Sequence, residues 1–209
     1  LPIEPVTILP GPFVIPVTAR DRFAMTLGPK RRWVSRAEKA LFGERKSVRI
    51  SADIIQLSGP ALTNLQSIVK LDAPAYDETN GLKVWFLGRA RLKEVGEKTS
   101  GAPGREVLTH PQMQTADGIG ASMFMGRSMP VNGRMAEVGF SMRCAATMHD
   151  DSTEILVGIL QSELRDATVQ TNLEINARLN APSGKGILLV KLPTDGATNG
   201  WGVVIHPLQ

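Results

Sequence analysis

Glu106 to Leu160, EVLTHPQMQTADGIGASMFMGRSMPVNGRMAEVGFSMRCAATMHDDSTEILVGIL, is the stretch whose reading decides the fold. It is a run of short apolar segments separated by Gly, Pro, Asn and Asp turn signals. From Val138 to Met148 the residues Val138, Phe140, Met142, Cys144, Ala146 and Met148 fall on one side, and Gly139, Ser141, Arg143, Ala145 and Thr147 on the other. A period of two marks a strand with unlike faces. The polar quintet His149, Asp150, Asp151, Ser152, Thr153 then turns the chain into the apolar run Glu154 to Leu160, which predicts an antiparallel hairpin.

The same alternation returns further on. Val169, Thr171, Leu173, Ile175, Ala177 and Leu179 oppose Gln170, Asn172, Glu174, Asn176 and Arg178, after a turn expected at Arg165 to Thr168. A strand of that length is long for a small soluble sheet and close to what crosses a bilayer when tilted, so this face is a candidate for contact with lipid or with another subunit. Gly186 to Leu192 and Gly202 to Ile205 read as closing strands, joined by the Gly- and Asn-rich loop Pro193 to Gly200.

Upstream, Ser47 to Leu57 alternates Val48, Ile50, Ala52 and Ile54 against Arg49, Ser51 and Asp53, as a half-buried strand does. Ser58, Gly59 and Pro60 break it, and Leu62, Leu65, Ile68 and Val69 follow at helical intervals. Asp72 to Gly81 reads as a loop. Leu82, Trp85, Phe86, Arg89 and Leu92 are spaced like a second helix, and Glu97 to Arg105 has the composition of a flexible connection.

The first 45 residues read as a separate region, with a β-domain over 46–209. Leu1 to Pro16 carries five prolines, which disfavour helix and predict an extended arm. The arm is too apolar to lie free, so it packs against its own domain or a neighbouring copy. Pro29 and Gly43 bracket a short helix whose exposed face carries Lys30, Arg31, Arg32, Arg36 and Lys39. That face is either a solvated surface or a contact for an anionic membrane or an acidic patch on an adjacent subunit. Nucleic acid is not expected, because stacking aromatics do not interleave the charges.

The totals agree with a mainly β chain containing a few short helices. Its 209 residues are 5% aromatic and 42% hydrophobic, with 20 Gly and 14 Pro, so the core rests on Val, Ile, Leu and Met. A net charge of +4 permits an anionic partner without requiring one. The one cysteine, Cys144, excludes an internal disulfide framework. No apolar run is long enough for a transmembrane helix.

The order of elements resembles the secretin family, the ring-forming proteins of bacterial secretion systems, type IV pilus machinery and filamentous phage export. SVRISADIIQLS at Ser47 to Ser58 looks like the family's opening strand. VLTHPQMQTADGIGASMFMGRSMPV at Val107 to Val131 resembles its strand, Pro, strand and Pro-Val sequence. EVGFSMRCAATMHDDSTEILVGI at Glu137 to Ile159 is similar to its Val-Gly strand, acidic turn and return strand. TNLEINARLNAPSGKGILLVKL at Thr171 to Leu192 resembles its long strand, Pro-x-Gly turn and apolar strand. The resemblance implies an antiparallel sheet contributing to an oligomeric β-barrel or ring. It also implies a location in the bacterial envelope, at the outer membrane or in the periplasm, with copies of the chain itself, membrane lipid and other envelope proteins as partners. Two departures stand out: only Asn132 to Glu137 occupy the place of the family's gate insertion, and Val190, Lys191 and Leu192 replace its paired glycines. The shortened insertion motivates an alternative, a soluble binding module built on the same sheet.

Chemistry has weaker signals. His149 with Asp150 and Asp151 could hold a metal or act as a base, yet they sit where a hairpin must turn and Asp is favoured. His110 and His206 each precede a proline, a context that imposes extended backbone. Ser67 to Lys70 matches Ser-x-x-Lys without a companion motif. Ser183-Gly184-Lys185-Gly186 lacks the Ser or Thr of a phosphate loop. Cys144 falls on an apolar strand face, as an inert thiol does, and the methionines read as core filling. No cofactor, metal or catalytic residue is assigned, and a non-catalytic, self-assembling subunit is the expectation.

Overall fold

The computed structural model describes residues 4–13, 46–69, 73–77, 81–193 and 199–208. Chain order is β1 (Val6–Ile8), β2 (Ser47–Ser58), α1 (Gly59–Val69), β3 (Tyr76–Asp77), β4 (Leu82–Gly88), α2 (Arg89–Thr99), β5 (Arg105–Thr109), β6 (Gln112–Ala116), β7 (Gly120–Val131), β8 (Arg134–Met148), β9 (Ser152–Arg165), β10 (Thr168–Pro182), β11 (Lys185–Lys191) and β12 (Asn199–Leu208). The basic helix expected around Lys30, Arg31, Arg32, Arg36 and Lys39 lies outside the described residues.

Two antiparallel sheets result. The first has five strands in the order β1-β10-β9-β8-β7; the second has seven, β3-β4-β11-β12-β2-β5 with β6 also on β2. Among the described residues neither closes into a barrel. Alternation decides which side chains meet between them: Val48, Ile50, Ala52 and Ile54 from β2 and Val203 and Ile205 from β12 pack against Met142, Cys144 and Ala146 from β8, Ile155 and Val157 from β9 and Ile175, Ala177 and Leu179 from β10. These side chains form one apolar layer, and sheets stacked about 10 Å apart leave no room for water there. The opposite face of the larger sheet is covered by the helices, where Leu62, Leu65, Leu92 and Val95 bury Trp85, Leu87, Leu188 and Val190. Gly186 makes that contact possible, since a Cβ there would lie 2.4 Å from the Leu92 side chain.

Two local expectations are corrected, and one left open is decided. Leu82 to Gly88 is a strand, pairing with β3 on one side and β11 on the other, and the helix starts only at Arg89. LKVWFLG is apolar enough to fit either element, and two flanking strands decide it by supplying partners for the backbone on both sides. The supposed flexible connection at Glu97 begins as the last turn of α2. Within α2, Arg91, Glu94 and Lys98 form a row of ion pairs that hold the Glu94 carboxyl below its usual range, Lys98 contributing most. The arm, left open between two partners, lies on its own domain: Val6, Thr7 and Ile8 pair with Leu179, Arg178 and Ala177.

Two of the three hairpins of the smaller sheet, β7–β8 and β9–β10, close through two-residue turns with left-handed backbone, Asn132-Gly133 (φ 50 and 75) and Asp166-Ala167 (φ 49 and 58). The Asn-Gly pair suits this mirror-image turn. Ala167 does not, because its Cβ is crowded by the carbonyl at positive φ. Ala167→Gly is therefore expected to raise stability by about 0.5 kcal/mol, the steric relief slightly exceeding the entropy a glycine loses on folding. Urea unfolding followed by circular dichroism measures it, and a lower midpoint would refute it.

Candidate functional site

The sandwich core ends partway along the smaller sheet. β8 and β9 pair from Met148/Thr153 only as far as Phe140/Gln161, while β7–β8 and β9–β10 continue to their turns. Beyond that level the sheet divides into two hairpins. Gly139, at φ 143, marks the division; its amide, out of the ladder, donates to Ser162 Oγ at 3.3 Å. Gly126 and Gly139 face each other across β7–β8 so closely that a Cβ on either would lie within 2.4 Å of the other strand's carbonyl oxygen.

Beside and beyond the packed base, this sheet carries exposed apolar side chains among the described residues. Phe124, Met125, Met135, Leu160 and Val169 are 40%, 47%, 68%, 38% and 38% exposed, and all lie on this sheet. Such apolar side chains, carried on one sheet, mark an interaction surface more than a random scatter would. The strands beside them are also edges. Among the described residues β7 pairs only with β8, and β10 on the turn side of Asn176 pairs only with β9. Antiparallel geometry fixes which backbone groups point outward. Val131 and Arg134 flank the two-residue turn as a hydrogen-bonded pair, so Gly120, Ser122, Phe124, Gly126 and Ser128 turn their amides and carbonyls away from β8. Pro130 shares that phase and has no amide to offer.

The strand expected to face lipid or another subunit is divided in the structure. Leu173, Ile175, Ala177 and Leu179 are buried against the second sheet, so they belong to the chain's own core. Val169 and Thr171 are exposed. The cause is a bulge. Thr171 opposes Ser162 and Leu173 opposes Gln161, with Asn172 unmatched between them. Neighbouring residues of β9 face opposite ways, so the shift moves Val169 and Thr171 to the outer face. A perfect sequence alternation conceals such an inserted residue.

The other candidate residues stay apart. His149, Asp150 and Asp151 are exposed in the β8–β9 turn, closed by a bond from the His149 amide to the Ser152 carbonyl. Ser67 Oγ donates to the Asn64 carbonyl at 2.7 Å on α1, and Lys70 lies outside the described residues. Among the described residues no group of three or more His, Cys, Asp or Glu is arranged to hold a metal. One pairing carries no sequence signal: His110 Nδ1 lies 2.6 Å from Asp53 Oδ1, between the β5–β6 link and β2. Asp53 also lines an open groove of about 960 Å³ with Arg89, Lys93, Lys185 and His206.

Cys144 is fully buried and lies 3.9 Å from the Met113 sulfur; burial pushes its thiol up to about 11. The folded value exceeds the ordinary 9.0, so this thiol's contribution to stability is complete below pH 9 and declines as pH rises from there toward about 11. A thiol reagent at pH 8 is expected to leave the native chain unmodified and to react on addition of denaturant. Full labelling without denaturant would contradict the burial.

No protein-family model and no curated protein matches this sequence. Among solved structures the chain is similar to the type II secretin GspD of enteropathogenic Escherichia coli, with 14% identity, a TM-score of 0.47, and coverage of 84% of this chain and 72% of that one. It is similar to the type II secretion secretin XcpQ of Pseudomonas aeruginosa, with 13% identity, a TM-score of 0.46, and coverage of 84% and 62%. The secretin InvG of the Salmonella SPI-1 type III injectisome is similar at 15% identity and a TM-score of 0.40, over 84% of this chain and 68% of that one.

Proposed function

We propose that this chain is a non-catalytic structural subunit that joins copies of itself into a secretin-like ring or pore in the bacterial cell envelope. The observation that carries this reading is the pair of edges left open among the described residues on opposite sides of one five-stranded sheet, β7 and the outer half of β10. A single chain cannot pair them with each other. A second copy can, and because the two edges differ the contact is head-to-tail, which generates a closed ring when the rotation fits. Strand directions permit it: alternate strands of the sheet run antiparallel, so β7 of one copy placed beside β10 of the next continues the alternation. Closure removes the edges, and with them the hazard of unlimited strand addition. The ordered sequence resemblance to secretins points the same way and supplies the envelope location, with copies of itself, membrane lipid and other envelope proteins as expected partners.

The groove lined by Asp53, Arg89, Lys93, Lys185 and His206 favours a second reading, a soluble module that binds a ligand on the larger sheet. That reading expects a monodisperse monomer and ligand-dependent thermal stabilisation.

Size-exclusion chromatography with light scattering, with and without detergent, and negative-stain imaging separate the two. The ring reading expects a large species of discrete mass. Ser122→Pro removes an outward-facing amide and no bond inside the chain, so it is expected to yield monomers while changing stability by no more than about 0.5 kcal/mol. A wild-type monomer in both conditions would sink the reading.

A further inference from the structure

We infer that the arm strand β1 is a register stop that forces neighbouring copies to join with a stagger; this rests on the ring reading above. The pairings of the smaller sheet define levels across it. Gly120 of β7 opposes Ala145 of β8, which opposes Leu156 of β9, which opposes Arg178 of β10, and Arg178 opposes Thr7 of the arm. By the same steps Phe124 is level with Glu174. If an identical copy were set flush beside β10, its β7 would bring Gly120 to the place that Thr7 already fills.

The arm holds that place firmly. The Asn180 amide donates to the Pro5 carbonyl at 2.9 Å, and the Leu9 amide donates to the Asn176 carbonyl at 2.8 Å. Val6 is buried in the sandwich core, and the Phe13 ring comes within 3.2 Å of where a Gly158 Cβ would stand. Since hydrogen-bonded pairs alternate, Asn180, Arg178 and Asn176 are the residues of β10 whose outward groups face the arm, and Glu174 is the first beyond it. The incoming β7 therefore starts with Gly120 opposite Glu174 in place of Arg178, a displacement of four residues toward the turn. An even displacement keeps both the face and the hydrogen-bonding phase of each strand.

Two independent consequences favour the staggered joint. Past the bulge at Asn172, it sets the exposed Phe124 of one copy opposite the exposed Val169 of the next, on the same outer face. A flush joint sets Phe124 opposite Glu174. The second consequence is geometric. With four strands from each copy, β7 to β10, a displacement of four residues at about 3.3 Å per residue over four strand spacings of about 4.8 Å tilts the strands by about 35°. That is the tilt a sheet needs to close, whereas a flush joint gives no tilt at all.

Disulfide trapping tests the register. In a Cys144→Ser background, Gly120→Cys with Glu174→Cys reports the staggered pair, and Phe124→Cys with Glu174→Cys reports the flush pair. The staggered pair is expected to cross-link about tenfold more than the flush pair, given the narrow window of Cα separations a disulfide accepts. Thr7→Pro breaks the central hydrogen-bonded pair of the arm and is expected to raise flush cross-linking. To separate this effect from any disturbance of β10, Val6→Ala, which loosens the buried anchor and leaves the backbone donors in place, is measured beside it and is expected to shift the ratio the same way by less. Preferential flush cross-linking with the arm intact overturns the stop while leaving self-assembly standing. A monomer at every condition overturns the ring reading itself, and the stop with it.

Discussion

A β-strand carries a polar backbone group on each side at every second residue, and each must find a partner or water. Everything distinctive in this structure follows from where those partners run out. In the larger sheet the supply is adequate, and the apolar faces are covered by the helices on one side and by the smaller sheet on the other. In the smaller sheet, the strands outgrow their cover. β8 and β10 are 15 residues each, and only about half of each lies over the second sheet. The remainder presents apolar side chains and two lines of outward amides and carbonyls together. A purely soluble, monomeric sheet would blunt such edges with charge or bulges along their whole length. Here the bulge at Asn172 redirects side chains without removing the edge, and Pro130 blunts β7 only near its turn.

The arm is the exception that gives the edges a direction. It satisfies β10 from Asn176 to Asn180 and stops there. A bare edge along its full length would accept a neighbour at several registers differing by two residues, all equivalent in backbone bonding. Covering one end makes them unequal. In the proposed joint the arm would do for pairing between copies what a short turn does for pairing within a hairpin, which is to fix the offset by a covalent connection close by.

Much of this was legible in the residues, for reasons that can be named. Val138 to Met148 alternates because one face is buried along most of its length, and the structure keeps that face inward. Ser47 to Leu57 and Ala61 to Val69 carry clean periods bounded by Ser58-Gly59-Pro60, so strand and helix are found where expected. LKVWFL is apolar on both faces, and such a segment has no period to read; long-range pairing with β3 and β11 assigns it. The bulge at Asn172 was invisible for the opposite reason. Val169 and Thr171 continue the alternation of Leu173 to Leu179 without fault, yet one extra residue in the ladder puts the first two on the other face. The arm's destination was likewise closed to periodicity, because a three-residue strand contains too few positions to define one. Neither the His110–Asp53 pair nor the groove beside α2 leaves a sequence signal, since their residues come from β2, the β5–β6 link, α2, β11 and β12.

The division of the smaller sheet into a packed base and two freer hairpins bears on what the proposed assembly would have to alter. All of the interlocking core lies in the base, so pairing with a neighbour requires no repacking there, and the base can hold the strand directions while copies meet. The hairpins are tied to each other above Phe140 by the Ser162 contact to Gly139 rather than by a continuous ladder. The cost of bending one relative to the other is correspondingly small. A ring of identical parts needs a defined angle at each joint, and small errors in that angle accumulate around the circumference. In the proposed ring, a packed base with less tightly tied hairpins would take up such errors near the glycine pair Gly126 and Gly139, where the two strands of one hairpin approach too closely for any side chain. The methionines extend the same compliance to the side chains: Met123 and Met125 follow β7 along the core-facing side, and unbranched thioethers can repack as the strand tilts. The part of the sheet that is least well covered in one chain is thus also the part best able to conform to a second.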